Sequence, residues 1–151
     1  MKYKTNSEKE TLTFAKKYAK NLQGGEIIGL VGDLGAGKTV FTKGLAVGFG
    51  IKKVITSPTF VLMKVYLIKG HKQIKYFVHI DAYRLKSAKD LEAIGAIEYF
   101  NRLDSVVVIE WADRVKKILP KETAFITIDH DKNERIFNFS FAKESGQVRL
   151  K

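Results

Sequence analysis

Hydrophobic positions recur at helical intervals from Leu12 through Ala15 and Ala19 to Leu22, behind Ser7-Glu8-Lys9-Glu10 and ahead of Gly24-Gly25. The Ser-x-x-Glu spacing is that of a capping box, and paired glycines stop a helix, so a first helix is predicted. Residues 26–31 then form an apolar run of strand length that ends in the glycine-rich residues 32–37, and residues 39–49 read as a second helix. Residues 61–68 and 73–80 are rich in β-formers, and the connection Lys69-Gly70-His71-Lys72 suits an antiparallel hairpin. Leu91, Ile94, Ile97 and Phe100, three apart, predict an amphipathic helix over 89–100. Val106-Val107-Val108-Ile109 is a buried strand, and residues 113–119 are a short helix ended before Pro120. A last strand pair, 123–128 and 135–141, turns at Asp131-Lys132-Asn133 and puts Phe137, Phe139 and Phe141 on one face. The alternation predicts an α/β fold in three layers around a central sheet that mixes parallel and antiparallel pairs. No repeat, low-complexity tract or linker divides residues 1–151, so one domain is expected.

Composition narrows the function. A chain of 151 residues, 45% hydrophobic, has the length to bury a full core. The absence of cysteine excludes disulfide frameworks, zinc ribbons, thiol nucleophiles and iron–sulfur ligation. The longest apolar runs, such as Val106 to Ile109, fall far short of the roughly 20 residues of a membrane-spanning helix. The first ten residues lack the apolar segment and cleavage site of a secretory signal, so a cytoplasmic chain is expected.

The net charge of +11 is unevenly placed: between Asp33 and Asp81 there is no carboxylate, while Lys38, Lys43, Lys52, Lys53, Lys64, Lys69, Lys72 and Lys75 add eight positive charges. Two readings stand, a solvated face that promotes solubility and an electropositive surface for the phosphates of a nucleotide or nucleic acid. Phe60, Tyr66, Tyr76 and Phe77 interleave with these lysines, but alternation with Val65, Leu67 and Val78 assigns most of them to a core face.

Gly32-Asp33-Leu34-Gly35-Ala36-Gly37-Lys38-Thr39 matches Gly-x-x-x-x-Gly-Lys-[Ser/Thr] in full, between a predicted strand and a predicted helix as the mechanism requires. Gly35 and Gly37 permit positive φ, so successive N–H groups from Asp33 to Val40 can point at phosphate oxygens. The helix N-terminus adds positive potential, Lys38 can set its ammonium near the β- and γ-phosphates, and the Thr39 hydroxyl can ligate Mg2+. Nucleotide binding is the firmest inference.

Phosphoryl transfer also needs acids at the ends of buried strands beside the loop. Asp81 follows Tyr76-Phe77-Val78-His79-Ile80 and Glu110 follows Val106 to Ile109; each could instead be a helix cap or first-turn acid. Glu110, after the more uniformly apolar strand, is assigned to Mg2+ and Asp81 to the attacking water, with exchange of roles left open. His79 reads as a packed histidine pointing away from the Asp81 face. Ser57-Pro58-Thr59-Phe60 precedes the hairpin as either an ordinary turn or a switch that brings Thr59 to the terminal phosphate. Trp111, the single tryptophan, is a core anchor or a lining residue of the nucleotide site.

Together these residues resemble the TsaE (YjeE) ATPases of bacterial tRNA threonylcarbamoyladenosine formation. The resemblance rests on the phosphate loop, Ser57-Pro58-Thr59-Phe60, His79-Ile80-Asp81-Ala82-Tyr83-Arg84-Leu85 and Ile109-Glu110-Trp111, in that order, with Leu91-Glu92-Ala93-Ile94-Gly95, Glu98-Tyr99-Phe100 and Leu119-Pro120 between the motifs. It implies a phosphate-loop ATPase that binds ATP with Mg2+ as cofactors, docks on TsaB- and TsaD-type partners and resets them by hydrolysis, with tRNA reached through the complex. It also implies Lys38 and the loop amides on phosphates, Thr39 and Glu110 on magnesium, Asp81 and Thr59 in hydrolysis or switching, and Arg135 near the nucleotide base. Before Tyr66 the family often has an acidic residue where this chain has Lys64-Val65. Two rivals are a small-molecule kinase, against which stands the lack of an arginine-rich lid or acceptor insertion, and a basic RNA-binding module with a vestigial nucleotide site.

Overall fold

A computed structural model describes residues 1–140. The elements are β1 (Lys2–Thr5), α1 (Glu8–Ala19), β2 (Ile27–Val31), α2 (Lys38–Gly48), β3 (Met63–Leu67), β4 (Tyr76–Asp81), α3 (Ala88–Ala93), α4 (Ala96–Phe100), β5 (Ser105–Glu110), a 3-10 helix (Ala112–Ile118), β6 (Ala124–Asp131) and β7 (Glu134–Ser140). The strands form one mixed sheet of order β1-β7-β6-β2-β5-β4-β3. β2 pairs in parallel with β5 and β6, and β4 in parallel with β5, while β3, β7 and β1 add antiparallel edges. β2, the strand that runs into the phosphate loop, is thus central, and the strands that end in Asp81 and Glu110 lie on one side of it.

Strand alternation sends side chains to two cores, and helices cover both. Ile28, Leu30, Phe77, Val106, Val108, Ile126 and Phe137 pack on Phe14, Tyr18, Phe41 and Leu45 of α1 and α2. Val78, Ile80, Val107 and Ile109 pack with Leu91, Ala96, Phe100, Ala112 and Val115 on the opposite face. The three layers follow. α1 and α2 touch at backbone distance: a Cβ on Gly44 would lie 2.5 Å from Ala15 Cβ, and one on Gly48 2.5 Å from Ala19 Cβ.

Several expectations need adjustment. Ser7 does cap α1, accepting from Glu10 N–H at 3.1 Å, but Glu10 reaches back to the Asn6 N–H at 2.7 Å, one residue before the cap. The helix expected over 89–100 is two: Gly95 takes φ +81°, ends α3, and resets the phase, leaving Ile97 39% exposed and off the buried stripe. Residues 2–5 form an edge strand that the sequence reading did not anticipate, held by β7 and by Tyr3 stacked 3.8 Å on Phe14. Phe137 and Phe139 share a buried face as expected; Phe141 lies outside the described residues. Of the aromatics in the basic stretch, Tyr66 and Phe77 are buried, whereas Phe60 is 86% exposed.

Candidate functional site

The glycine-rich loop turns where the missing side chains allow it. Gly35 and Gly37 have φ +80° and +110°, and a Cβ on Gly37 would meet Arg135 Cδ and Nε at 3.0 Å. Gly37 is the N-cap of α2 and supplies no side-chain bond to the first turn, which also holds no acid. The first-turn amides of Lys38, Thr39 and Val40 have no partner inside the helix, so they and the helix dipole face the cleft uncapped. That is the donor set an anionic group requires.

A cleft of about 460 Å³ opens at this point, lined by Leu34, Gly35, Gly37, Lys38, Thr39, Val40, Ser57, Thr59, Asp81, Tyr83, Glu110, Trp111, Arg135 and Glu8. Asp33 and Ala36 are not among its lining: Asp33 is exposed, and Ala36 is buried with its N–H donated to Asp33 O at 3.0 Å. Lys38 is almost fully buried; its ammonium donates to Gly32 O and to Asp33 O at 2.9 Å and lies 3.8 Å from the Trp111 ring centroid. Burial pulls the Lys38 ammonium below the ordinary lysine range, and the nearby Glu110, Asp113, Asp33 and Asp81 carboxylates oppose that pull.

Parallel register places Asp81 directly opposite Glu110. The Glu110 carboxylate, 3% exposed, accepts from Thr39 Oγ1 at 3.0 Å and from His79 Nε2 at 2.7 Å, with Thr42 Oγ1 at 3.5 Å. Asp81 accepts from the Tyr83 N–H at 2.9 Å and from Ser57 Oγ at 3.0 Å, and Thr59 Oγ1 donates to Ser57 Oγ at 3.3 Å. The Ser57–Thr59 loop is therefore tied to one acid and the phosphate helix to the other. The loop is closed by the Leu62 N–H on Pro58 O at 2.7 Å and joined to β4 by the Asp81 N–H on Leu62 O.

The placing of His79 corrects the sequence reading. Residues two apart on a strand share a face, so His79 points with Asp81, not away from it, and its Nε2 meets Glu110 across the strand pair. It is fully buried, and its Nδ1 has no hydrogen-bond partner among the described residues. Trp111, left between two roles, lines the cleft at φ +58°, with Tyr83 edge-on at 5.0 Å. Sequence reasoning gave Glu8 and Tyr83 no part in the site. Tyr83 could have been found, two residues after Asp81; Glu8 carries no such signal, because only the packing of α1 beside α2 brings it there.

Among the described residues no group of three or more His, Cys, Asp or Glu side chains is arranged to hold a metal. Magnesium at a phosphate loop asks for less: one or two protein oxygens, with phosphates and waters completing the octahedron. Thr39 Oγ1 and Glu110, in contact at the loop mouth, meet that requirement. A strand, a glycine loop with an uncapped helix behind it, and two acids on neighbouring parallel strands define an α/β protein of the phosphate-loop class.

The chain belongs to the TsaE family: the model of threonylcarbamoyl adenosine biosynthesis protein TsaE matches residues 5–137. It is 41% identical over 119 residues to the Borreliella burgdorferi tRNA threonylcarbamoyladenosine biosynthesis protein TsaE, spanning 79% of this chain and 83% of that protein. It is 38% identical over 128 residues to the Bacillus subtilis protein of the same name, spanning 85% and 77%. Among solved structures, the crystal structure of Bacillus subtilis YdiB matches with TM-score 0.73 and 31% identity, over 94% of this chain and 85% of that one. The role in tRNA threonylcarbamoyladenosine biosynthesis is that of the family. Among the described residues no helix is long and apolar enough to cross a membrane.

Proposed function

We propose that the chain, as one cytoplasmic domain, binds ATP with Mg2+ in the cleft and hydrolyses it to reset the partner proteins that make and transfer the threonylcarbamoyl group to tRNA adenosine. Partners of the TsaB and TsaD type fit this reading, with tRNA present in the assembly. The observation that carries it is the 3.0 Å hydrogen bond between Thr39 and Glu110 beside an uncapped helix N-terminus, with Asp81 in register next to Glu110. Bound there, Mg2+ would neutralise charge on the phosphate oxygens.

The amides of Leu34, Gly35 and Gly37 to Val40 and the Lys38 ammonium hold the phosphates, Asp33 and Ala36 standing outside the lining, and Thr39 and Glu110 present oxygens to the metal. Lys38 exchanges its carbonyl partners, Gly32 and Asp33, for phosphate oxygens. Asp81 orients the attacking water and takes up its proton, while Ser57 and Thr59 link that carboxylate to the loop covering the terminal phosphate. Arg135 closes the cleft on the Gly37 side, at the end assigned to the base. The aromatic pair Trp111 and Tyr83 walls the cleft and limits water. His79 positions Glu110.

The test is reconstitution. The partner proteins, tRNA, threonine, bicarbonate, ATP and Mg2+ are mixed with and without this chain, and modified nucleoside is counted over several turnovers. The expected result is multiple turnover only with the chain, lost on Lys38→Ala, and ADP with free phosphate as the sole nucleotide products. Equal yields with and without it would remove the proposed role, and a phosphorylated small acceptor would replace the ATPase by a kinase.

A further inference from the structure

We propose that the end of the molecule opposite the cleft is a second binding surface, one that holds the phosphate backbone of RNA. That the RNA is tRNA rests on the functional reading above; the surface itself does not. Three segments distant in sequence converge there. Gly44 meets Leu12 and Ala15 while Gly48 meets Lys16 and Ala19, so α1 and α2 run in the same direction and end together. α2 starts at the phosphate loop, and its 11 residues carry its other end about 16 Å away at a rise of 1.5 Å each. The β3–β4 connection folds onto the same end, with Phe49 and His71 rings 6.4 Å apart and a Gly24 Cβ position 3.4 Å from Ile74. Lys16, Lys20, Lys52, Lys53, Lys69 and Lys72 are thereby gathered, all exposed.

None of the six forms an ion pair among the described residues. The carboxylates tied to these segments are already engaged: Glu26 accepts from the Gln23 and Gly24 N–H groups at 2.7 and 2.8 Å, and Asp104 holds Arg102 in a two-point pair at 2.8 and 2.9 Å. Lys16 and Lys20 are accounted for in part by the carbonyl end of α1. Lys52, Lys53, Lys69 and Lys72 sit in connections with no such reason, and like charges held together disfavour the compact state unless a polyanion neutralises them. Lysine is a point charge on a flexible stem, suited to phosphates along a backbone and indifferent to base sequence. A protein partner of fixed carboxylates would favour arginine forks, and the three segments hold no arginine, Arg102 in the neighbouring connection being paired to Asp104. Separation from the cleft leaves nucleotide and RNA free to be held together.

The experiment is fluorescence anisotropy of labelled tRNA with the full chain, without partner proteins, across about 50 to 200 mM salt. Each backbone phosphate neutralised contributes about 0.7 to 0.9 to the slope of log K against log salt, so six lysines give about 4 to 5. The variant Lys52→Glu/Lys53→Glu/Lys69→Glu/Lys72→Glu should lose about 3 of that slope and at least tenfold in affinity near 100 mM salt, with the Trp111 emission response to Mg·ATP unchanged. A second variant of equal charge at the other end of the sheet, Lys9→Glu/Lys86→Glu/Lys89→Glu/Lys132→Glu, should stay within about threefold of the native chain. The proposal is overturned by absence of binding at about 50 mM salt, by equal affinity of the first variant, or by equal loss in the second. It is also overturned if the first variant loses partner-protein docking while tRNA affinity stays put. Failure here with multiple-turnover yield intact leaves the functional reading standing; RNA binding with no effect on yield does the reverse.

Discussion

His79→Phe keeps a ring of similar size in the β4 core and removes one donor. In the native chain, the nearly fully buried Glu110 carboxylate accepts from His79 Nε2 at 2.7 Å and from Thr39 Oγ1 at 3.0 Å. A hydrogen bond to a charged group contributes about 1.5 to 3 kcal/mol. Against this stands the relief of His79 Nδ1, a buried polar atom with no partner, which the phenyl ring no longer carries. The net expected loss is about 1 to 2 kcal/mol, or about 2 to 8 °C in Tm for a chain of this length. His79→Gln keeps an N–H able to reach Glu110 and should recover about half of that loss. The assay is urea unfolding followed by circular dichroism at neutral pH for both variants, for Glu110→Gln, and for the double variant His79→Phe/Glu110→Gln. If the two side chains act on each other, the double variant loses about 1 kcal/mol less than the sum of the single losses. Additive losses, or equal losses from Phe and Gln, would refute the positioning role. A calorimetric titration of Mg2+ into protein with ADP adds a functional readout: metal affinity should fall in His79→Phe and return in His79→Gln.

Other outcomes follow from the same geometry. Gly37→Ala places a side chain at φ +110° and 3.0 Å from Arg135, and should cost about 1 to 2 kcal/mol in thermal unfolding and abolish ATP binding by calorimetry. Because burial holds Lys38 below the ordinary lysine range, ATP affinity should fall as pH rises before it reaches the usual lysine value near 10.4; affinity flat to that point would contradict the placement. Burial, with Glu26 nearby, pushes the Tyr18 phenol far above its usual value, so the folded chain keeps a proton that the unfolded chain gives up above about pH 10. Stability is therefore full below that pH and falls above it by about 1.4 kcal/mol per unit for this one proton, a slope that Tyr18→Phe should remove in urea titrations.

The legible part of the site is the part written locally. Residues 32–39 carry their own torsions and charge, and Asp81 and Glu110 announce themselves as acids ending apolar strands; parallel pairing then sets one opposite the other. His79 is different, because its bond to Glu110 depends on the register between β4 and β5, which no spacing within a single strand contains. Residues 2–5 escape for a related reason: three exposed positions and one buried leave no alternation, and their pairing partners lie 130 or more residues on. Gly95 could be either tolerated inside a helix or used to end it, and its φ of +81° shows that it ends one.

The seam where α2 lies against α1 through Gly44 and Gly48 divides the labour of the molecule. A helix seated by absent side chains has no springy contact to compress, so sliding it would mean jumping a whole turn over Ala15 and Ala19. The wall of the cleft built on β2 and α2 is therefore an anvil, facing a stretch around Ser57 and Thr59 that is held by side-chain hydrogen bonds instead of by close backbone contact. Enlarging either glycine should slacken a grip whose own residues are untouched.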